Sequence, residues 1–294
     1  MTQYLNQDQR TLLVKFLAYL GLVRWYNLLL IALAQYLASI FLLNKGEKVL
    51  HILADPGLHA MVLSCSMIIA GGYLINAFYD MEKDLANNPD KLIIGRIISK
   101  SFALNTYLLF NFTALAIGLI AGWPVVLFLC AFCFLLWFYS HKLKKITFIG
   151  NLTATFLSVC SFFIVCLYYW QLSWGIVLYV VFLVITELIR ELVKDLEVIK
   201  GDILYGYATV PVAIGIPKTK RLLLFMMLGS LLPVIGVYKL QGWSVVMFFF
   251  LFALALLAIA GLLLWMAREK KDYNAVNNLL KFIMVLGVLS IGLV

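Results

Sequence analysis

Asn76, Asp80 and Asp84 stand where a long apolar run of the sequence gives way to charge, in the stretch GGYLINAFYDMEKD. Residues four apart on an α-helix are offset by about 40° and about 6 Å, so an amide oxygen and two carboxylates form one polar stripe. Oxygen donors of this kind, open to water on one side, suit Mg2+, which keeps several waters and takes one or two carboxylates beside substrate phosphates. Glu82 points elsewhere, toward solvent. A second acidic stretch, RELVKDLEVIKGD, follows about 118 residues later. Its Asp195 and Asp202 are seven apart and return to one face if the helix passes Gly201. Any one of these acids alone reads as a solvated helix end, and the second stretch alone as a charged juxtamembrane helix with Glu191/Lys194 and Glu197/Lys200 pairs. Together they read as the two sides of a metal clamp. Two acidic clusters facing one cavity repel unless cations lie between them, which predicts bound Mg2+ and a polyanionic ligand, for which a diphosphate fits. Lys91, Arg96, Lys100, Lys142 and Arg190 fall on the same side, and two or three of them are expected to touch its outer oxygens; other lysines there follow topology or meet anionic membrane lipid.

The elements that must position these groups are membrane spans. Of 294 residues, 64% are hydrophobic and 13% charged, more apolar surface than a soluble core of this length can hide. Nine nearly uncharged runs, at 25–43, 59–79, 102–121, 123–140, 147–169, 174–194, 220–238, 243–267 and 277–294, are long enough to cross about 30 Å of hydrocarbon. The expectation is an all-α polytopic membrane protein, a single domain over residues 1–294, in which an acid, a glycine and a basic residue recurring as Asp84, Gly95, Lys100 and Asp202, Gly215, Lys220 suggest two four-helix halves plus a ninth helix. The net charge of +9 is a topological signal rather than a nucleic-acid footprint. Of 23 basic residues, 19 fall in the N-terminal segment and the even-to-odd loops and only Lys45, Lys48 and Lys239 in the opposite ones. This bias places the N-terminus and both acidic stretches in the cytoplasm of a bacterial or archaeal cell and the C-terminus outside. The first twenty residues show no cleavable signal. All five cysteines fall inside spans and read as apolar filler.

Along almost its whole length the chain resembles the UbiA family of intramembrane prenyltransferases. The likeness rests on N-x-x-x-D-x-x-x-D after the second span, the acidic motif after the sixth, RWYN at 24–27, YSHKLKKITFIGN at 139–151 and GYATVPVAIG at 206–215. The resemblance implies that Asn76, Asp80, Asp84, Asp195 and Asp202 bind Mg2+ and the diphosphate of a prenyl donor, with Asn76, Lys91, Lys142, Arg190 and Arg24 on the diphosphate. The chain departs from the pattern at Val198 and Lys200, where relatives often carry acids, so the second site relies on Asp195, helped by Glu197. In the segment NNPDKLIIG, Lys91 stands for the family's Arg and Leu92 for its Pro.

The implied reaction is Mg2+-dependent transfer of a prenyl group from an allylic diphosphate to a lipophilic acceptor. The wording of the second motif is nearest to the branch that prenylates geranylgeranylglyceryl phosphate in ether-lipid synthesis, with geranylgeranyl diphosphate as donor. An aromatic acceptor such as 4-hydroxybenzoate is the alternative. A cation-coupled transporter is the alternative of another class, disfavoured because its ionisable groups belong near mid-bilayer, where the spans offer mainly Glu187.

Overall fold

The computed structural model describes residues 7–82, 85 and 93–293, with side chains from residue 13 onward. No β-strand forms among them. Helix α1 covers Gln7–Leu22 and leads through Arg24 into α2, Trp25–Leu37, which continues as a π-helical turn over Ala38–Leu43. The short α3, Val49–Leu53, precedes α4, Pro56–Tyr79. Four long helices follow: α5, Lys100–Ala121; α6, Trp123–His141; α7, Ile149–Tyr169; and α8, Trp174–Leu204. The short α9, Val210–Ile214, leads to α10, Ile216–Gly229, and α11, Leu231–Gln241, which together make one span. The chain ends with α12, Val245–Met266, and α13, Lys270–Ser290.

Among the described residues eight helical stretches are long and apolar enough to cross a membrane. Helix α8 makes the ninth of the expected set: its 31 residues are ample, but Glu187, Arg190 and Glu191 interrupt its apolar face. The faces turned outward are greasy, with Phe112, Phe225, Phe248 and Leu262 each exposed by two thirds or more. In water that surface would be prohibitive; against lipid it costs nothing.

Local chemistry starts the helices where the sequence says it should. Asp55 caps α4, its Oδ1 accepting from the Gly57 amide at 2.9 Å with Pro56 in the first turn, and Ser99 caps α5 by accepting from the Phe102 amide at 3.2 Å. Two cores hold the bundle. One joins α2, α4, α5, α6 and α7 around Met61, Ile68, Leu129 and Ile164; the other joins α8 and α10–α13 around Phe182, Leu192, Phe250 and Leu280. The start of α8 adds Ile176 and Val180 to the first core, whereas its acidic part packs through Ile189, Leu192 and Leu196 into the second, so the two acidic stretches belong to different cores. Helix α4 sits deep, with 72% of its most apolar stretch buried, and Gly72 explains how: a Cβ there would lie 3.0 Å from the Leu136 side chain of α6.

The sixth span ends later than the sequence suggests. Helix α8 runs straight through Gly201 to Leu204, so both Asp195 and Asp202 are helical and share a face. Gly201 is buried within the helix, where packing offsets the cost of its backbone entropy.

Candidate active site

Helix α4 ends at Tyr79 and Asp80 caps it, its amide bonded to the Asn76 carbonyl at 3.0 Å. One turn apart, the two side chains converge on one cation: Lys144 Nζ donates to Asp80 Oδ1 at 2.7 Å and to Asn76 Oδ1 at 3.3 Å. The Lys144 and Asp80 side chains are only 7% and 15% exposed, so the pair is withdrawn from water. Lys144 belongs to a single 3-10 turn, Leu143–Lys145, between α6 and α7. Gly150 permits that turn, since a Cβ there would lie 3.0 Å from the Lys144 carbonyl oxygen and 3.1 Å from its Cα.

The opposing side comes from the second core. Tyr207 donates its hydroxyl to Asp80 Oδ1 at 3.4 Å. Asp195 Oδ2 accepts from Asn151 Nδ2 of α7 at 2.7 Å, and the fully buried Asp202 accepts from the Thr209 hydroxyl at 3.0 Å. The connections are stitched to each other: the Ala208 amide donates to the Lys145 carbonyl at 3.1 Å, the Thr147 hydroxyl donates to the Ala208 carbonyl, and Lys145 Nζ lies 5.4 Å from the Tyr207 ring centre. Tyr139 of α6 lies within electrostatic reach of Asp80, Asp195, Glu191 and Arg24, and Asp195 within reach of Asp202. Asp80 and Asp195 thus share Tyr139 as an electrostatic neighbour, and Tyr207, just past the second acidic stretch, bonds to the first.

Other expected residues are placed differently. Asp84 and Lys91 lie outside the described residues. Arg96, Lys100 and Lys142 are exposed at the surface, and it is Lys144, two residues past Lys142, that turns inward. Arg190 is held in its own helix, donating to Glu187 at 2.5 and 2.7 Å and to Glu191 at 2.7 Å, while Ser158 supports Glu187 at 3.1 Å and Lys194 pairs with Glu191 at 3.1 Å. Arg24 adopts a left-handed backbone (φ 51°) between α1 and α2, its guanidinium carbon 4.9 Å above the Tyr73 ring. Glu197 turns from Asp195 toward α13 and accepts from Asn277 Nδ2 at 3.4 Å. Lys144, Asn151, Tyr207 and Thr209 were not among the expected ligands. All four lie in the 139–151 and 206–215 stretches, but spacing alone gives no reason to prefer Lys144 over Lys142.

No three of the described acids, histidines or cysteines converge into a ready-made metal cage. Mg2+ needs none, because it binds through one or two carboxylates and its ligand's phosphates. Asp80 and Asn76 already direct their oxygens at one cation, the Lys144 ammonium, and Asp195 is a further carboxylate within electrostatic reach of the same Tyr139 as Asp80.

Known proteins share this arrangement of elements. Residues 32–286 match the model of the UbiA prenyltransferase family. The chain is 32% identical to the digeranylgeranylglyceryl phosphate synthase of Sulfurisphaera tokodaii over 74% of its length and 78% of that protein's. It is 28% identical to that of Sulfolobus acidocaldarius over 94% of each chain. Among solved structures, a digeranylgeranylglyceryl phosphate synthase superposes with a TM-score of 0.71 at 21% identity, covering 94% of this chain and 97% of its own. A UbiA homolog from Archaeoglobus fulgidus bound to GPP and Mg2+ superposes with a TM-score of 0.66 at 16% identity, covering 94% and 100%. With two acidic stretches from separate cores sharing Tyr139 as an electrostatic neighbour in a helical membrane bundle, and a family match over most of its length, the chain belongs to the UbiA prenyltransferase family.

Proposed function

We propose that this enzyme transfers a geranylgeranyl group from its diphosphate to the free hydroxyl of geranylgeranylglyceryl phosphate, with Mg2+ as cofactor. The observation that carries the reading is that Asp80, bonded to Lys144 and Tyr207, and Asp195 both lie within electrostatic reach of Tyr139, with Asp202 within reach of Asp195. The acceptor is inferred from relatives whose names specify digeranylgeranylglyceryl phosphate synthesis. Asn76, Asp80, Asp195 and Asp202, with Asp84 as the remaining member of the first stripe, would hold the metal. When bound, Mg2+ offsets the charge that gathers on the departing diphosphate.

The chain's own groups do the rest. Lys144 already holds an ammonium at the position where the diphosphate must sit and shifts from Asp80 to the phosphate oxygens when the donor enters. In the transfer itself, the C1–O bond of the donor breaks and its electron pair leaves with diphosphate. The acceptor hydroxyl oxygen forms the new bond to C1, and its proton passes to the released diphosphate. Tyr139, within electrostatic reach of Asp80 and Asp195, is an aromatic ring at hand for stabilising positive charge at C1. The apolar cores on both sides keep water from capturing it. The acidic stretches are read as facing the cytoplasm, where soluble diphosphate donors and Mg2+ are available.

The test is to incubate purified protein with Mg2+, labelled geranylgeranyl diphosphate and a choice of geranylgeranylglyceryl phosphate or 4-hydroxybenzoate. Diphosphate release that requires the glyceryl phosphate, and that disappears on chelation and returns with added Mg2+, is the expected result. Release that requires 4-hydroxybenzoate instead overturns the acceptor assignment. Asp80→Ala and Asp195→Ala should each abolish turnover in protein that remains folded in the membrane.

A further inference from the structure

Lys281 lies inside the ninth span, within α13. It stands four residues past the start of that span at 277, about 6 Å along the helix. A cation inside a span is costly and is ordinarily retained for a partner or a ligand. Among the described residues no carboxylate forms an ion pair with Lys281. Its electrostatic surroundings are mostly of its own sign: Arg190, Arg24 and Lys194, with Glu197 as the single acid. Glu187 and Glu191 are already spent on Arg190 and Lys194.

Helix geometry explains why these groups meet. Side chains lean toward the N-terminus of their helix. Helix α13 starts at the end of the bundle that carries the acidic stretches, whereas α8 starts at the other, so Lys281 leans toward that end and Arg190 and Lys194 lean inward to meet it. One turn before Lys281, Asn277 is 6% exposed, and its Oδ1 has no hydrogen-bond partner while its amide nitrogen reaches Glu197. A buried amide oxygen without a partner calls for a donor from outside the chain. Arg24, exposed and poised over Tyr73, closes the pocket on the α2 side. Tyr73 is seven residues before Asp80 on α4, and Tyr139 lies within reach of both Arg24 and Asp80, so the basic pocket adjoins the acidic one.

We propose that Lys281, Arg24, Lys194 and Asn277 form a subsite for the phosphomonoester headgroup of the acceptor, separate from the pocket for the donor's diphosphate. This rests on the reading of the acceptor as a glyceryl phosphate. The cations take the phosphate oxygens, and the free Asn277 oxygen accepts a hydroxyl proton from the headgroup. The separation of charges keeps two anionic substrates apart: the donor binds where acids and metal gather, the acceptor where cations outnumber acids.

Enzyme in phosphatidylcholine nanodiscs, supplied with Mg2+ and geranylgeranyl diphosphate, tests this with Lys281→Met, Lys281→Arg and Asn277→Leu. Lys281→Met should raise the KM for geranylgeranylglyceryl phosphate at least tenfold and the donor KM less than twofold, and Lys281→Arg should recover most of the loss. With unphosphorylated geranylgeranylglycerol, variant and wild type should converge. Asn277→Leu should raise the same acceptor KM by a smaller factor. An unchanged acceptor KM in Lys281→Met overturns the subsite while leaving the glyceryl phosphate reading intact. Equal losses on phosphorylated and unphosphorylated acceptors make the lysine structural and also overturn it. An effect seen only when phosphatidylglycerol is present assigns Lys281 to bulk anionic lipid, and the proposal falls. Wild-type enzyme that uses 4-hydroxybenzoate and not the glyceryl phosphate overturns the acceptor reading and the subsite with it.

Discussion

Lys144 joins the two roles a cation can play in this protein, counter-ion and ligand. Bonded to Asp80 and Asn76 and nearly shielded from water, it neutralises the first acidic stretch in the absence of metal. Lys144→Met leaves that carboxylate without its ammonium and, on the proposed reading, removes a preorganised charge from the donor's diphosphate. Loss of one such contact typically costs about 10²–10³ in kcat. Steady-state kinetics with saturating Mg2+ should therefore show kcat/KM down by about 10²-fold or more, and a drop below about threefold would mean that Lys144 is a structural counter-ion only. Lys142→Met, which changes an exposed side chain two residues away, should leave kinetics within about twofold. The sequence made the acids legible because a four-residue spacing has one geometrical meaning on a helix. It did not choose between Lys142 and Lys144, because which lysine turns inward is decided by a 3-10 turn that no periodicity announces. Lys281 was passed over for a related reason: a single lysine in an apolar run disturbs no pattern, and its significance comes from what the neighbouring helices point at it.

At the level of elements, helix α8 carries the largest electrostatic liability. Glu187, Arg190 and Glu191 sit in a part of the span where unpaired charge is expensive, and their mutual bonds are what make them tolerable. Arg190→Met strands the buried Glu187 and leaves Glu191 with Lys194 alone, and should destabilise the protein by about 3–5 kcal/mol, read as a fall in the detergent-solubilised melting temperature. Combining it with Glu187→Gln and Glu191→Gln should recover most of that loss, since the network is costly only when broken; a triple variant no more stable than the single one would mean that the three charges act independently. A second element-level device is the close approach of the Leu143–Lys145 turn to the start of α7. Gly150→Ala forces a methyl to 3.0 Å from the Lys144 carbonyl, so the turn and its lysine must move. Overpacking of this kind costs about 1–3 kcal/mol, and turnover should fall toward that of Lys144→Met. Gly229→Ala, with no atom within 4 Å of the new methyl, is the matched control and should cost neither stability nor activity. The helices themselves were readable from apolar run length. The end of α8 was not: glycine and charge at 200–202 resemble a stop, yet tertiary packing of Leu192, Leu196 and Gly201 carries the helix through them and so delivers Asp202 to the site.

For the whole molecule, the helix directions put Arg24, Asp80, Lys144, Asp195 and Asp202 at one end of the bundle and Asp55, Lys45 and Trp174 at the other. The basic residues follow the same division, 19 on the site side against Lys45, Lys48 and Lys239 opposite. Such a bias sets orientation during insertion because lysine and arginine near span ends resist translocation, and a ratio this large leaves little competition from the other topology. The site end should therefore face the cytoplasm. Single cysteines at Lys142 and at Lys48, both exposed and on opposite ends, report this directly in a variant whose five native cysteines are replaced. A membrane-impermeant maleimide should label Lys142→Cys in inverted vesicles but not in intact cells, and Lys48→Cys in the reverse pattern. Labelling of Lys142→Cys from outside intact cells would invert the topology and with it the side from which the diphosphate donor must arrive. The outcome also bears on substrate traffic, since a water-soluble headgroup and Mg2+ must reach the acids from the aqueous face while both prenyl chains remain in the bilayer. A site at the end of α4 and α8, rather than at mid-span, lets one molecule meet both demands.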